Sequence, residues 1–276
     1  MKYLFSSTGL AALKSFIAID TLFAFDLDGT LAPIVPDPSA IRIRHEVRQK
    51  LIRLDALAPL AVITGRSRPD ALLHLGFMPR FLVGNHGAEG LPGEESISQG
   101  FTRLCREWKL QLNRILPDMS ARGIVLEDKG ESLALHYRQA PDHERARESI
   151  RSALAGLTPP PRSVAGIFVK NLMPSEAPDK GAALETLIRH QGCRRAIFVG
   201  DDITDEDVFR LDNPSVLGIR VSRGTKSAAP FYLRGQQEIG RLLDKIIARL
   251  ERCPVSLKSG SEPYSSSRRL SPKPAL

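Results

Sequence analysis

An α/β fold on a parallel sheet, with a separate α+β unit inserted into it, is what the sequence predicts. Three observations carry that expectation. Short apolar runs at 23–25, 60–63, 81–84 and 196–200 alternate with helical patterns, the order that builds parallel sheets. These runs are apolar throughout, as strands covered on both faces should be. Between 98 and 176 the order changes to helix, strand, strand, helix, strand, which reads as a second unit interrupting the first.

Composition fits a globular chain. Of its 276 residues, 42% are hydrophobic and 25% charged, enough to bury one large core or two smaller ones. No apolar run approaches the roughly 18 residues of a membrane helix. Three widely spaced cysteines, Cys105, Cys193 and Cys253, form no zinc or redox pattern and suit a reducing, cytoplasmic setting. The net charge is +8, of which the stretch after Cys253 supplies +3 through Lys258, Arg268, Arg269 and Lys273 against Glu262. A mildly basic body suits an anionic substrate. No basic run alternates with aromatics, so neither nucleic acid nor membrane is an expected partner.

Taken in order, residues 1–20 resemble a signal peptide only superficially, because Lys14 interrupts the apolar stretch and no small-residue cleavage site follows. They read as an amphipathic helix capped by Ser7 or Thr8, with Leu10, Leu13 and Ile17 on one face. The strand at 23–25 then breaks into Asp26-Leu27-Asp28-Gly29-Thr30. Pro33, Pro36 and Pro38 make a loop, and Val47, Leu51, Leu54 and Ala58 mark a helix face. The strand at 60–63 ends in Thr64-Gly65-Arg66, and Pro69 suits the next helix start. A third strand ends at Asn85-His86-Gly87.

In the inserted unit, Phe101, Leu104, Trp108, Leu112 and Ile115 have helical spacing. A hairpin follows, 124–126 and 132–138, with Leu133, Leu135 and Tyr137 on one face and Ser132, Ala134, His136 and Arg138 on the other. A helix at 145–154 and a last strand at 164–169 complete the unit. The polar strand face has no core role and is the expected contact with something outside. The α/β pattern resumes at Lys180, whose helix buries Leu184, Leu187 and Ile188. The strand at 196–200 ends in Asp201-Asp202-Ile203-Thr204-Asp205. A strand at 216–221 and a helix through Ile239, Leu243, Ile246 and Leu250 close the fold. The expected division is a discontinuous core, 1–97 and 177–252, a cap, 98–176, and a disordered tail, 253–276.

In parallel sheets ligands gather beyond the carboxyl ends of the strands. Asp26 and Asp28, Thr64, Lys180, and Asp201 with Asp202 and Asp205 would meet there. Two carboxylates ~4 Å apart at an effective dielectric of ~20 repel by roughly 4 kcal/mol, which a cation relieves. Carboxylate oxygens suit Mg²⁺, and hydroxyl, ammonium and free N–H groups suit phosphoryl oxygens. One carboxylate can attack phosphorus while a second moves protons. Singly, Thr64-Gly65 reads as a turn, Lys180 as surface charge and the acidic run as a helix start. Their joint occurrence favours chemistry.

These motifs, FDLDGTL, VITGR, the Lys180-Gly181 helix start and GDDITDED, resemble the four signatures of haloacid dehalogenase-like phosphatases. The pieces VGNHGAE and LEDKGESLALHYRQAP are similar to trehalose-6-phosphate phosphatases, over roughly 1–250. The resemblance implies a Rossmann-like core with an α+β cap, and hydrolysis of trehalose 6-phosphate with Mg²⁺. Asp26 would be nucleophile and metal ligand. Asp28 would be general acid/base, its main-chain carbonyl on the metal, and Asp201 the third ligand, with Asp202 and Asp205 in support. Thr64, Gly65 and Lys180 would hold the phosphoryl group. Arg66, Asn85 and His86 from the core, and Glu127, Lys129, His136 and Arg138 from the cap, would meet the sugar or close the cap. Functional coupling to a trehalose-phosphate synthase is implied too. One departure stands out: Asn171 occupies the place where the family commonly has a sugar-facing Glu, and Glu176 is a nearby carboxylate. A related sugar phosphate as substrate, or a sensor that binds without turnover, are the alternatives.

Overall fold

In a computed structural model, residues 1–35, 37–224 and 226–252 are described, and the expected tail lies outside them. The elements run β1 (Lys2–Tyr3), α1 (Ser7–Phe16), β2 (Thr21–Phe25), α2 (His45–Leu57), β3 (Leu60–Ile63), α3 (Arg68–Leu75) and β4 (Phe81–Val83). There follow α4 (Glu95–Ile115), β5 (Val125–Asp128), β6 (Leu133–His136), α5 (His143–Ala155), β7 (Arg162–Gly166) and β8 (Val169–Met173). The chain closes with α6 (Lys180–Gln191), β9 (Arg195–Gly200), α7 (Glu206–Phe209), β10 (Val216–Val221), β11 (Phe231–Leu233) and α8 (Ile239–Glu251).

One sheet has seven strands in the order β1-β11-β10-β9-β2-β3-β4, every pair parallel. β2 is central and buried at every position. Its alternation is hidden in the sequence because both faces are apolar. Phe23 and Phe25 pack with Leu51, Leu54, Leu242 and Ile246 of α2 and α8. Leu22 and Ala24 pack on the other side with Leu184 and Leu187 of α6. Each such Phe or Leu side chain contributes about 1.5–3 kcal/mol by burial, so the strand that delivers the first acids is also among the best anchored.

The second sheet is antiparallel, in the order β5-β6-β8-β7. α4 and α5 cover one face, burying Trp108, Leu112 and Ile150 against Leu133, Leu135 and Leu172. The buried indole is satisfied, since Trp108 Nε1 donates to Pro159 O at 2.8 Å. The opposite face, with Asn171, His136 and Arg138, looks onto the end of the parallel sheet.

Several expectations need correction. The last part of the inserted unit is two strands, β7 and β8, where one was expected at 164–169. Their turn places Phe168 at φ 57°, a conformation few bulky residues adopt. Tertiary contacts hold it: the ring lies 4.5 Å from that of His143 and 5.4 Å below the Arg138 guanidinium, and its carbonyl accepts the Tyr137 N–H at 2.9 Å. The first helix is capped by Ser6, whose hydroxyl accepts Gly9 N–H at 3.3 Å, where Ser7 or Thr8 was expected. The edge strand β1 and its neighbour β11, two and three residues long, were not anticipated; such lengths carry no readable periodicity. α4 also begins ahead of the expected boundary at 98.

Candidate active site

The register of the parallel sheet sets the site. Phe25 pairs with Val62 on one side and Val199 on the other, and Asp26 N–H donates to Val199 O at 2.9 Å. Asp26 therefore leaves the sheet level with Gly200, one residue before Asp201. Lys180 opens α6 beneath them, its side chain only 2% exposed. Its Nζ lies 2.7 Å from Asp26 Oδ1 and 2.8 Å from Asp205 Oδ1. Burial would lower the Lys180 pKa, but Asp205 and Asp26 outweigh it and hold the ammonium charged, above the usual lysine range. Burial pushes the Asp26 carboxyl well up, Lys180 pulls it down, and Asp205, Asp201 and Asp28 push it up again. Asp201 is pushed up to about 7, by burial first and then by Asp205 and Asp202. Asp26, Asp201 and Asp205 thus bring more carboxylate charge together than the Lys180 ammonium beside them balances.

That surplus bears on a metal. One oxygen each of Asp26, Asp201 and Asp205 lies within 4.8 Å of the others, a hard-oxygen set of the kind Mg²⁺ takes. Asp205 is heavily engaged already: Oδ1 holds Lys180, and Oδ2 accepts the N–H groups of Asp201 and Asp202 at 2.7 and 2.9 Å. Asp26 and Asp201 are the freer donors. The Asp28 side chain, expected beside them, is not part of this acidic group. It lies in the fork of Arg66, with Nε 2.8 Å from Oδ2 and Nη2 2.7 Å from Oδ1. The third arm of Arg66 reaches Asp70 at 2.7 Å. Gly29 makes the whole turn possible, because at φ +80° a Cβ there would stand 2.1 Å from Asp201 Oδ2.

The next strand end is built as tightly. Asn85, His86 and Gly87 all have positive φ, at 49°, 60° and 124°. The turn presses the His86 ring onto Gly65, where a Cβ would meet it at 2.4 Å. Burial first, then Lys180, Lys129 and Arg162, lower the His86 pKa well below its ordinary value, so the imidazole is neutral. Neither ring nitrogen has a hydrogen-bond partner.

Between the two sheets lies a cleft of about 310 Å³. From the core it is lined by Asp26, Asp28, Gly65, Arg66, His86, Lys180 and Asp202, and from the inserted unit by Glu127, Lys129, His136, Arg138 and Asn171. His136 Nε2 is 2.7 Å from Glu127 Oε2, and Lys129 Nζ is 3.4 Å from Gly65 O. The wall does not include Thr64, Asn85, Asp201 or Asp205. Thr64 lies fully buried beneath it, its hydroxyl accepting Arg66 N–H at 3.2 Å. Asp201 faces a separate opening beside Gly29 and Arg220. Glu176 is exposed and away from the cleft, so Asn171 stands there without it.

Some lining residues gave no sequence signal. Ile34, Val35 and Ile41 form an apolar wall from the proline-rich loop, with Ile167 opposite; only the apolar pair between prolines hinted at it. Glu89 was also missed. Its Oε2 accepts Arg68 N–H at 2.7 Å and the Asn85 amide at 3.0 Å. Burial and then Glu131 push its carboxyl from 4.5 up to about 7. The folded state therefore holds this proton more tightly than the unfolded chain does. The resulting stabilisation is full below about 4.5 and is lost as pH rises through about 7. Glu89→Gln should flatten the fall in melting temperature across that window, read as the difference from wild type in thermal melts.

A parallel sheet that delivers acids to one edge and carries an α+β cap is the fold of the haloacid dehalogenase-like phosphatases. Solved structures share it: the Candida albicans trehalose-6-phosphate phosphatase C-terminal domain has TM-score 0.66 at 21% identity, covering 86% of this chain and 96% of that one. An Aspergillus fumigatus trehalose-6-phosphate phosphatase has TM-score 0.61 at 24% identity, over 90% and 99%. At these identities the likeness concerns fold. Sequence goes further. A protein of Escherichia coli K12 named trehalose-6-phosphate phosphatase is 33% identical over 82% of this chain and 86% of its own length. Trehalose-phosphate phosphatase B of Arabidopsis thaliana is 28% identical over 80% of this chain and 65% of its longer self. The family described as trehalose-phosphatase matches residues 24–237. The chain belongs to that family, whose members are phosphoric monoester hydrolases.

Proposed function

We propose that the chain hydrolyses trehalose 6-phosphate to trehalose and phosphate, with Mg²⁺ and through an aspartyl phosphate on Asp26. The observation that carries this reading is the buried Asp26–Lys180–Asp205 array with Asp201 beside it, whose Asp26 and Lys180 reach the floor of a cleft lined by polar cap residues. In the first step an Asp26 oxygen attacks phosphorus, and the bond to the sugar oxygen breaks. The leaving oxygen takes a proton from Asp28, whose carboxyl must leave the Arg66 fork to give it. In the second step Asp28 takes a proton from water as that water attacks phosphorus, and phosphate leaves Asp26 free again. Lys180 and the Gly65 turn orient the phosphoryl oxygens, and Thr64, buried beneath the turn, supports it through the Arg66 N–H. His86, neutral and unpartnered, can donate one ring hydrogen to an oxygen of the substrate. Glu127, Lys129, His136, Arg138 and Asn171 would meet sugar hydroxyls.

Mg²⁺ would be held by Asp26 and Asp201, with Asp205 in support and the Asp28 carbonyl as expected from the resemblance. It would offset the carboxylate surplus and the charge of the phosphoryl group. Gly29→Ala should crowd the Asp201 carboxylate and raise the Mg²⁺ concentration for half-maximal activity about 10–100-fold, read from a metal titration of turnover.

The core, 1–97 with 177–252, would carry the chemistry and the cap, 98–176, the sugar specificity. Among the described residues no helix is long and apolar enough to cross a membrane. A cytoplasmic place, coupled to a trehalose-phosphate synthase that supplies the substrate, completes the reading.

A second reading rests on Asn171, which is 8% exposed and lines the cleft. An amide there can donate as well as accept, where a carboxylate only accepts, and this favours a related sugar phosphate. Phosphate release from a panel of sugar phosphates, with and without Mg²⁺, tests both. Metal-dependent release that is best with trehalose 6-phosphate supports the first. Preference for another ester by more than about tenfold, ~1.4 kcal/mol, supports the second.

A further inference from the structure

Asn85 is fully buried and is not among the residues that line the cleft. Its Nδ2 lies 3.0 Å from Glu89 Oε2, 3.1 Å from Lys129 O and 3.3 Å from Glu131 Oε2, and its Oδ1 accepts the Ser132 hydroxyl at 2.6 Å. Lys129, Glu131 and Ser132 form the turn between β5 and β6, at the tip of the cap hairpin. The turn is braced twice more: Lys129 N–H donates to Ser132 O at 3.0 Å, and Glu131 Oε1 accepts the Ser98 hydroxyl of α4 at 2.7 Å. On the core side, Asn85 N–H donates to Arg66 O at 2.8 Å, and His86 N–H to Thr64 O at 2.9 Å. One amide therefore ties the hairpin tip to the Thr64–Arg66 turn. The same Lys129 whose carbonyl is held sends its ammonium into the cleft, 3.4 Å from Gly65 O and 3.8 Å from Glu127.

We infer that Asn85 is a positioning residue: it docks the cap hairpin on the strand ends and so sets where the Lys129 ammonium stands over the Gly65 turn. This rests on the sugar-phosphatase reading above, and it gives Asn85 a place other than contact with the sugar. The chemistry demands an amide. Two donors serve a carbonyl and two carboxylates while the oxygen serves a hydroxyl, and a carboxylate of the same shape could do only the last. Asn85→Asp would also put a third carboxylate beside Glu89 and Glu131. A residue that merely accepted sugar hydroxyls would tolerate that change.

The test compares trehalose 6-phosphate turnover by wild type, Asn85→Asp, Lys129→Met and the double variant. Hydrogen exchange of residues 125–136 is followed in parallel. Asn85→Asp should lower kcat/KM on the order of 10–100-fold, the range for unmaking buried hydrogen bonds. The double variant should be no worse than Lys129→Met alone, because no ammonium then remains to be placed. Exchange at 129–132 should quicken in Asn85→Asp, and adding Glu131→Gln should slow it again by returning a donor. If Asn85→Asp fails to fold, Ser132→Ala removes one partner only and should move both readouts the same way by less. Losses that multiply in the double variant, or hairpin exchange that stays unchanged, would overturn the inference. A wild type inactive on trehalose 6-phosphate would sink the substrate reading alone, since the exchange measurement needs no substrate and still decides the docking.

Discussion

Asp26→Asn is expected to abolish turnover and leave the fold intact. The amide fills the same space at the end of β2 but cannot attack phosphorus, so kcat should fall by about 10⁴-fold or more, the scale on which removal of a nucleophile acts. Stability should not fall with it. Asp26 stands among Asp201, Asp205 and Asp28, with Lys180 opposing its pKa rise. Neutralising one member relieves repulsion, and Lys180 keeps its partner Asp205 at 2.8 Å. Phosphate-release assays and thermal melts on the same preparation separate the two effects. A variant that folds and still turns over would remove Asp26 from the chemistry.

Lys180→Met is expected to cost both activity and stability. The methionine matches the stem of the lysine but leaves Asp26 and Asp205, 6% and 0% exposed, without their ammonium. Removing one partner of a buried charge pair typically costs about 3–5 kcal/mol, because the other is stranded. Urea denaturation without added metal should show a loss of that size. Adding Asp205→Asn should return part of it, since one stranded carboxylate is then gone. Activity should stay lost in the double variant, because the phosphoryl group still lacks its cation. Lys180→Arg should not substitute, as a planar fork cannot take the place of a point charge in a space shaped for one.

Much of this was legible from the residues alone. β2, β3 and β9 announce themselves as apolar runs that stop at acids or at Thr-Gly, and a parallel sheet sends all such stops to one edge. The second half of the last cap strand was not legible. Phe168 turns the chain there only because Tyr137, His143 and Arg138 surround it, and partners so far off in sequence leave no local pattern. The same holds for Asn85. Its bond to Ser132 spans 47 positions, so the NHG piece marked the residue as notable without disclosing what it holds. Spacing likewise put Asp26 and Asp28 together, yet the fork of Arg66 takes the Asp28 side chain and Asp205 comes in beside Asp26. Which side chain takes which charge is decided by three-dimensional neighbours.

The central claim is that the phosphoryl group of trehalose 6-phosphate passes through Asp26. Quenching the enzyme during turnover with borohydride, which reduces an acyl phosphate to an alcohol, followed by peptide mass analysis, tests it directly. The expected result is a mass change confined to position 26, dependent on substrate and Mg²⁺ and missing in Asp26→Asn. A change at another carboxylate, or none under steady turnover, would contradict the account.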